Sequence, residues 1–194
     1  MNKYFALLLP VLPFVMSVAE NTNPKEFLTI ELKDGPVLIE LFTEQAPKHV
    51  ERIKKLAQSG KYDGVAFHRV IDGFMAQTGD VEFGNINDFD NGKVGTGGSD
   101  LPDLEAEFND SKHERGTCSM ARSSNPNSAN SQFFICFEPS SYLDNQYTVW
   151  GKVVEGMEFV DEIKRGKSSN NGSVNDPDFM KKVSVGSSDS KEEK

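Results

Sequence analysis

Phe67-His68-Arg69-Val70-Ile71-Asp72-Gly73-Phe74-Met75-Ala76-Gln77 is the stretch on which the reading of this chain turns. Val65 to Val70 and Phe74 to Gln77 read as two short strands folded back around Asp72-Gly73, a dipeptide suited to a tight turn. The same stretch sets one permanent cation, Arg69, beside Phe74, Met75 and Gln77. Ser119-Met120-Ala121-Arg122 and Ser131-Gln132-Phe133-Phe134 add further apolar and amide side chains. Arginine offers a rigid fork of five N–H donors, whereas phenylalanine and methionine offer shape and dispersion. None of them is a nucleophile or a general base at neutral pH. Such a set can bind and polarise an amide without reacting with it.

Outward from this stretch the pattern is mainly β. Leu28, Ile30 and Leu32 alternate with polar residues, and Asp34-Gly35 turns the chain into Val37 to Phe42, which predicts a hairpin. Ala46, Val50, Ile53, Leu56 and Ala57 recur at helical spacing, with Pro47 in the first turn and Gly60 near the end. Thr117 to Ala121, Gln132 to Phe137, Thr148 to Val154 and Met180 to Val185 read as further strands. Met157, Val160 and Ile163 mark a second short helix ending near Gly166. The Gly- and Asp-rich run from Gly79 to Asp103 has no periodicity and reads as a surface loop shaping a site. Many short strands with two helices indicate a closed or nearly closed antiparallel barrel capped by helices.

The ends depart from this pattern. Lys3, the apolar run Tyr4 to Val15 and Ser17-Val18-Ala19 have the form of a signal peptide cleaved after Ala19. The run falls short of the ~20 residues needed to span a bilayer and contains Pro10 and Pro13. The expected organisation is a signal at 1–19, a polar leader at 20–26, one domain at 27–186 and a disordered polar tail at 187–194. Export to a periplasm is expected, with secretion or a secretory compartment as the other destinations. Without its signal the chain should not insert into a membrane. The formal charge of −9 becomes −10 when Lys3 is lost, which argues against nucleic acid or an anionic membrane surface as partner. Cys118 and Cys136 lie on segments that could pair as neighbouring strands, so a bridge or two buried thiols are both open.

Several other constellations fail. Asp88-Phe89-Asp90-Asn91-Gly92 begins like a calcium loop, but its glycine is one place early and Ser99 stands where a bidentate glutamate belongs. Gly95-Thr96-Gly97-Gly98 lacks the lysine of a phosphate loop. His49, His68 and His113 have no metal spacing, so no metal site is expected. A hydrolase built on Ser123 or Ser124 with a histidine has no supporting spacing. Asn109-Asp110-Ser111 and Asn171-Gly172-Ser173 match the glycosylation sequon.

From Phe27 to about Val185 the chain resembles the cyclophilin family of peptidyl-prolyl isomerases. The resemblance rests on Phe67 to Ile71, Gly73-Phe74-Met75, Gln77, Ser131 to Ile135, Leu143-Asp144 and Gly151-Lys152-Val153, in that order and spacing. It implies an eight-stranded closed barrel capped by two helices, with peptide held in a groove on the outside. It further implies Arg69 as the catalytic arginine and Phe74, Met75, Phe134 and Leu143 as walls of a proline pocket. Gln77, Ala121, Arg122 and Gln132 match the groove for the peptide backbone, and Tyr142 and Tyr147 stand at its rim. The family uses no cofactor. The implied activity is rotation about X-Pro bonds, a reaction that breaks no bond to a heavy atom; its partners are proline-containing client polypeptides. A monomer is expected. A binding module or chaperone using the same groove without catalysis is the other reading.

The chain departs from the family's usual residues in five places. Asp72, Thr78 and Arg122 stand where proline, glycine and asparagine are common, and Tyr142 and Tyr147 where many members carry tryptophan and histidine. Tight cyclosporin binding is associated with that tryptophan. Judged by spacing alone, Phe74, Met75 and Phe134 also suit an ordinary core, and Arg69 a surface ion pair.

Overall fold

A computed structural model of the chain describes residues 24–188. The signal-peptide reading, most of the leader and residues 189–194 of the tail lie outside the described residues. Strand β1 (Glu26–Glu31) pairs with β2 (Pro36–Leu41), and the connecting turn is closed by Leu32 N–H donating to Gly35 O at 3.0 Å. Alternation puts Leu28, Ile30, Val37 and Ile39 in the core, each at most 1% exposed. Helix α1 (Pro47–Gln58) starts with a proline whose missing N–H costs nothing there, and it turns Val50, Ile53, Leu56 and Ala57 inward. It lies against β8 and β7.

The remaining strands are β3 (Arg69–Ile71), β4 (Met75–Thr78), β5 (Thr117–Met120), β6 (Phe133–Cys136), β7 (Val149–Glu155) and β8 (Lys182–Ser187). All strand pairs are antiparallel, in the order β3-β4-β6-β5-β7-β2-β1-β8. Helix α2 (Met157–Asp161) is shorter than its apolar spacing predicts, because the chain leaves the helix before Ile163. Ordered pairing also reaches past both expected domain limits: Glu26 pairs with Ser187, and Ser188 N–H donates to Lys25 O. Among the described residues no helix is long and apolar enough to cross a membrane.

The expected closure of the barrel is not found. β3 and β8 stand at the two ends of the sheet, with no ladder between them. The seam is crossed by separate bonds, Met180 N–H to Val65 O at 2.9 Å, Phe67 N–H to Asp178 O at 2.8 Å and Gly64 N–H to Met180 O at 2.7 Å. These bonds make one antiparallel bridge, Ala66 with Phe179, and Asp176 with φ +50° and Pro177 with no N–H to give do not carry that pairing on along β3.

Strands β3 to β6 have two apolar faces, and this places the site. Val70, Ala76, Cys118, Met120, Phe133 and Ile135 enter the main core. Their neighbours Met75, Phe134 and Cys136 form a second cluster with Leu143. Register aligns Arg69 with Gln77, Gln77 with Phe134, and Phe134 with Ser119. Residues two apart share a face, so Arg69, Gln77, Met75 and Phe134 emerge together on the outside. The same rule settles the cysteines. Cys118 stands opposite Ile135, which puts Cys136 on the other face, and both are buried free thiols. Burial pushes both thiols up, Cys136 to about 12.

Candidate active site

Arg69, Phe74, Met75, Phe134 and Leu143 line one hollow of about 300 Å³ on the outer face. Gln77, Ala121, Arg122, Tyr142 and Tyr147 complete its wall. Gln132 lines an adjoining hollow of about 250 Å³ that shares Gln77, Ala121 and Arg122 with the first. All eleven residues singled out from the sequence therefore meet in one groove. Met75 is 1% and Phe134 5% exposed, yet they belong to the outer cluster and not to the main core. Tyr147 meets Phe134 edge-on at 5.8 Å, and the exposed Tyr142 leans on Phe74 at the same centroid distance.

Arg69 is no surface ion pair: its partners are all neutral. Nη1 donates to Gln77 Oε1 at 3.1 Å and approaches Met75 Sδ at 3.8 Å. Nε donates to Asn171 O and Nη2 to Asn171 Oδ1, each at 3.1 Å. Burial pulls its pKa down from the ordinary arginine value, since charge is costlier away from water. Gln77 Nε2 in turn donates to Gln132 Oε1 at 3.0 Å, and Gln132 Nε2 to Gly97 O at 2.8 Å. A donor-only guanidinium at one end and a carbonyl at the other permit one orientation of both amides.

Gly97 is held by Asp80, a fully buried carboxylate that sequence reading passed over. Its Oδ1 accepts from Glu82 and Phe83 N–H, and its Oδ2 from Gly95 N–H at 2.7 Å and Gly97 N–H at 3.0 Å. The loop from Gly79 to Asp103 is thus organised around one side chain. Thr78, in place of a glycine, donates its hydroxyl to Ala66 O at 2.9 Å, and Asp72 accepts from Arg165 Nε at 3.2 Å. Arg122 lies over the Tyr147 ring at 4.4 Å and donates to Ser123 O and Gln146 O, tying the two sides of the groove.

Behind Phe134, His113 bridges Asp144 and Ser119, at 3.0 Å from Asp144 Oδ1 and 3.1 Å from Ser119 Oγ. This has the connectivity of a hydrolytic triad, but Ser119 is 0% exposed and its hydroxyl lies 2.9 Å from Thr148 O. No substrate can reach it, and the set braces Phe134, on which the His113 ring stacks. Ser123 Oγ lies 2.7 Å from Ser128 Oγ and has no histidine partner. Among the described residues no group of three or more His, Cys, Asp or Glu is placed to hold a metal.

Residues 27–185 match the family model for cyclophilin type peptidyl-prolyl cis-trans isomerases. The chain belongs to the cyclophilin family. It is 56% identical over 171 residues to a Brucella suis protein described as a probable peptidyl-prolyl cis-trans isomerase, covering 88% of this chain and 87% of that one. A Helicobacter pylori peptidyl-prolyl cis-trans isomerase is 39% identical over 143 residues, 72% of this chain and 81% of its own. Among solved structures, a Cryptosporidium parvum cyclophilin in the presence of the dipeptide Ala-Pro superposes with a TM-score of 0.71 at 28% identity, covering 82% of this chain and 98% of that one. A cyclophilin from Hirschia baltica gives 0.66 at 26%, over 82% and 76%. The fold is cyclophilin-like and the activity that of a peptidyl-prolyl cis-trans isomerase.

Proposed function

We propose that this isomerase acts on exported polypeptides, with Arg69 as the catalytic residue and the outer groove as the peptide site. The observation that carries this reading is a guanidinium with only neutral partners at the wall of an apolar hollow. An unreactive cation beside a ring-sized notch suits one task. It can donate toward the nitrogen and carbonyl of an X-Pro bond as the amide twists.

Rotation about that bond meets a barrier of ~18–20 kcal/mol, set by conjugation between nitrogen and carbonyl. A donor at the nitrogen favours its pyramidal form, localises the lone pair and weakens the conjugation. A thousandfold acceleration needs about 4 kcal/mol, whereas one charged hydrogen bond contributes roughly 1.5–3 kcal/mol. The remainder comes from Phe74, Met75, Phe134 and Leu143 fixing the proline ring while Gln77, Gln132 and the Ala121–Arg122 backbone hold the chain. The Cryptosporidium relative, whose structure was determined in the presence of Ala-Pro, supports a proline-containing peptide as the ligand.

The deciding experiment measures cis–trans exchange of a short X-Pro peptide with and without the protein. Acceleration supports the enzyme reading, and binding without acceleration would leave a peptide-binding chaperone. Turnover is expected to be flat between about pH 6 and 9, because arginine stays protonated throughout and no titrating group takes part. A bell-shaped profile would sink the mechanism.

Stability should respond to pH where turnover does not. Burial pushes His68 down to about 4 from 6.5, outweighing the opposing pull of the nearby Asp80 carboxylate. The unfolded chain then takes up a proton that the folded one refuses. The contribution is complete above pH 6.5 and is lost as pH falls toward 4, by roughly 3 kcal/mol in all. Burial lowers His49 and His113 as well, in the same direction. The urea midpoint is expected to drop between pH 7 and 5; an unchanged midpoint would contradict the assignment.

Export is proposed through cleavage after Ala19, delivering a monomer that works in a periplasm. Mass spectrometry of the mature protein should find Glu20 at its N-terminus, and an intact Met1 in the purified exported form would refute this.

A further inference from the structure

Asn171-Gly172-Ser173 reads as a glycosylation sequon, yet in the fold its asparagine meets the arginine of the site. A short 3-10 turn, Ser168–Asn170, ends at Asn171 with φ 49° and ψ 32°, a left-handed conformation that asparagine tolerates better than most residues. The loop has little freedom to shift. Gly166 N–H donates to Val70 O, Val70 N–H to Gly172 O, and Val174 N–H to His68 O, all within 3.0 Å. A Cβ at Gly172 would lie 2.4 Å from Ile71, and one at Gly166 would lie 1.9 Å from Gly172 O. The loop is therefore stitched along the free edge of β3, on the side where the sheet has no neighbouring strand.

In this conformation Asn171 turns its backbone carbonyl and its side-chain carbonyl to the same guanidinium, one on Nε and one on Nη2. Gln77 takes one N–H of Nη1 from the opposite side. Three of the five N–H groups are thereby given to oxygen, two of them to one residue, and Nη1 also meets Met75 Sδ at 3.8 Å, which leaves one N–H of Nη2 uncommitted. We infer that Asn171 is a positioning residue for the isomerase reaction: it fixes the roll of the Arg69 plane so that Nη1, against Met75, and the uncommitted N–H of Nη2 are presented to the proline pocket. Gln77 alone would leave the plane free to rotate about its bond to Nη1.

The inference rests on Arg69 as the catalytic residue, and its test separates the two claims. Asn171→Gly keeps the left-handed backbone and the carbonyl on Nε but removes the acceptor on Nη2. It should lower kcat about tenfold with a much smaller change in KM, because misplacing a reacting group costs rate more than binding. Its melting temperature should stay near that of the unaltered protein. NMR of the Arg69 side chain should show separate, slowly exchanging Nη signals in the unaltered protein and averaged ones in Asn171→Gly. Asn171→Asp restores an acceptor and should restore the separate signals. Unchanged kcat in Asn171→Gly, or Nη signals alike in all three proteins, would overturn the positioning role. Loss of activity only in parallel with loss of melting temperature would also overturn it, as a structural effect. Failure of Arg69 itself would appear instead as full activity in Arg69→Ala.

Discussion

Arg69→Ala is expected to lower kcat/KM by between about ten- and a hundredfold while the fold persists. The lower figure corresponds to the ~1.5 kcal/mol of a modest charge-assisted hydrogen bond, the upper to nearly 3 kcal/mol for a desolvated one. Arg69 is half-buried at the margin of the sheet, and its guanidinium meets the outer apolar cluster only at Met75 Sδ, 3.8 Å away. Removing it leaves Gln77 Oε1 and Asn171 Oδ1 without that donor, but both lie close enough to water to recover a partner. The hollow keeps its apolar walls, so peptide binding should weaken less than turnover. Arg69→Lys should recover little, because an ammonium cannot hold Asn171 and Gln77 and still present a planar donor to the pocket. Rates indistinguishable from the unaltered enzyme in Arg69→Ala would remove the guanidinium from the mechanism.

Asp80→Ala should produce the largest loss of stability of any single change near the groove. The carboxylate accepts four backbone N–H groups and is fully buried. Deleting it strands donors from Glu82, Phe83, Gly95 and Gly97, each costing ~1–3 kcal/mol where water cannot substitute. Allowing for partial hydration of the loop, the total is about 4 kcal/mol. That is a large share of a typical domain's 5–15 kcal/mol and corresponds to a fall in Tm of about 10 °C. Activity should fall as well, because Gly97 O orients Gln132 and through it Gln77. Asp80→Asn keeps the shape but turns an NH2 toward two of the donors, and should fall between alanine and the parent. An unaltered Tm in Asp80→Ala would mean that the loop is held by something else.

What the sequence disclosed and what it withheld follow a physical division. Arg69, Phe74, Met75 and Gln77 lie within nine residues, and a period of two fixes which of them share a face. Phe134 and Gln132 were placed beside them by the resemblance to the cyclophilin family, since spacing alone also suits an ordinary core. Hairpin β1–β2 and helix α1 were legible from pattern, because local pattern and local structure coincide there. Asn171 was not, because it lies 102 residues from its partner and acts partly through its backbone conformation. Asp80 looked like one acidic residue among many in a Gly-rich loop, and its four donors are main-chain groups that carry no residue signature. The His113–Asp144–Ser119 set joins separate segments that only the folded sheet brings together. Closure of the barrel was expected from strand count, whereas its failure depends on the backbone at Asp176 and Pro177.

The seam between β3 and β8 has a thermal consequence. A strand paired along one flank and merely tacked along the other frays sooner than one laddered on both, since local opening requires fewer bonds to break together. Warming should therefore slacken the arginine's mooring while the aliphatic interior is still intact. The enzyme should then fade a few degrees before it melts, with amide exchange quickening first at Val70 and Gly172.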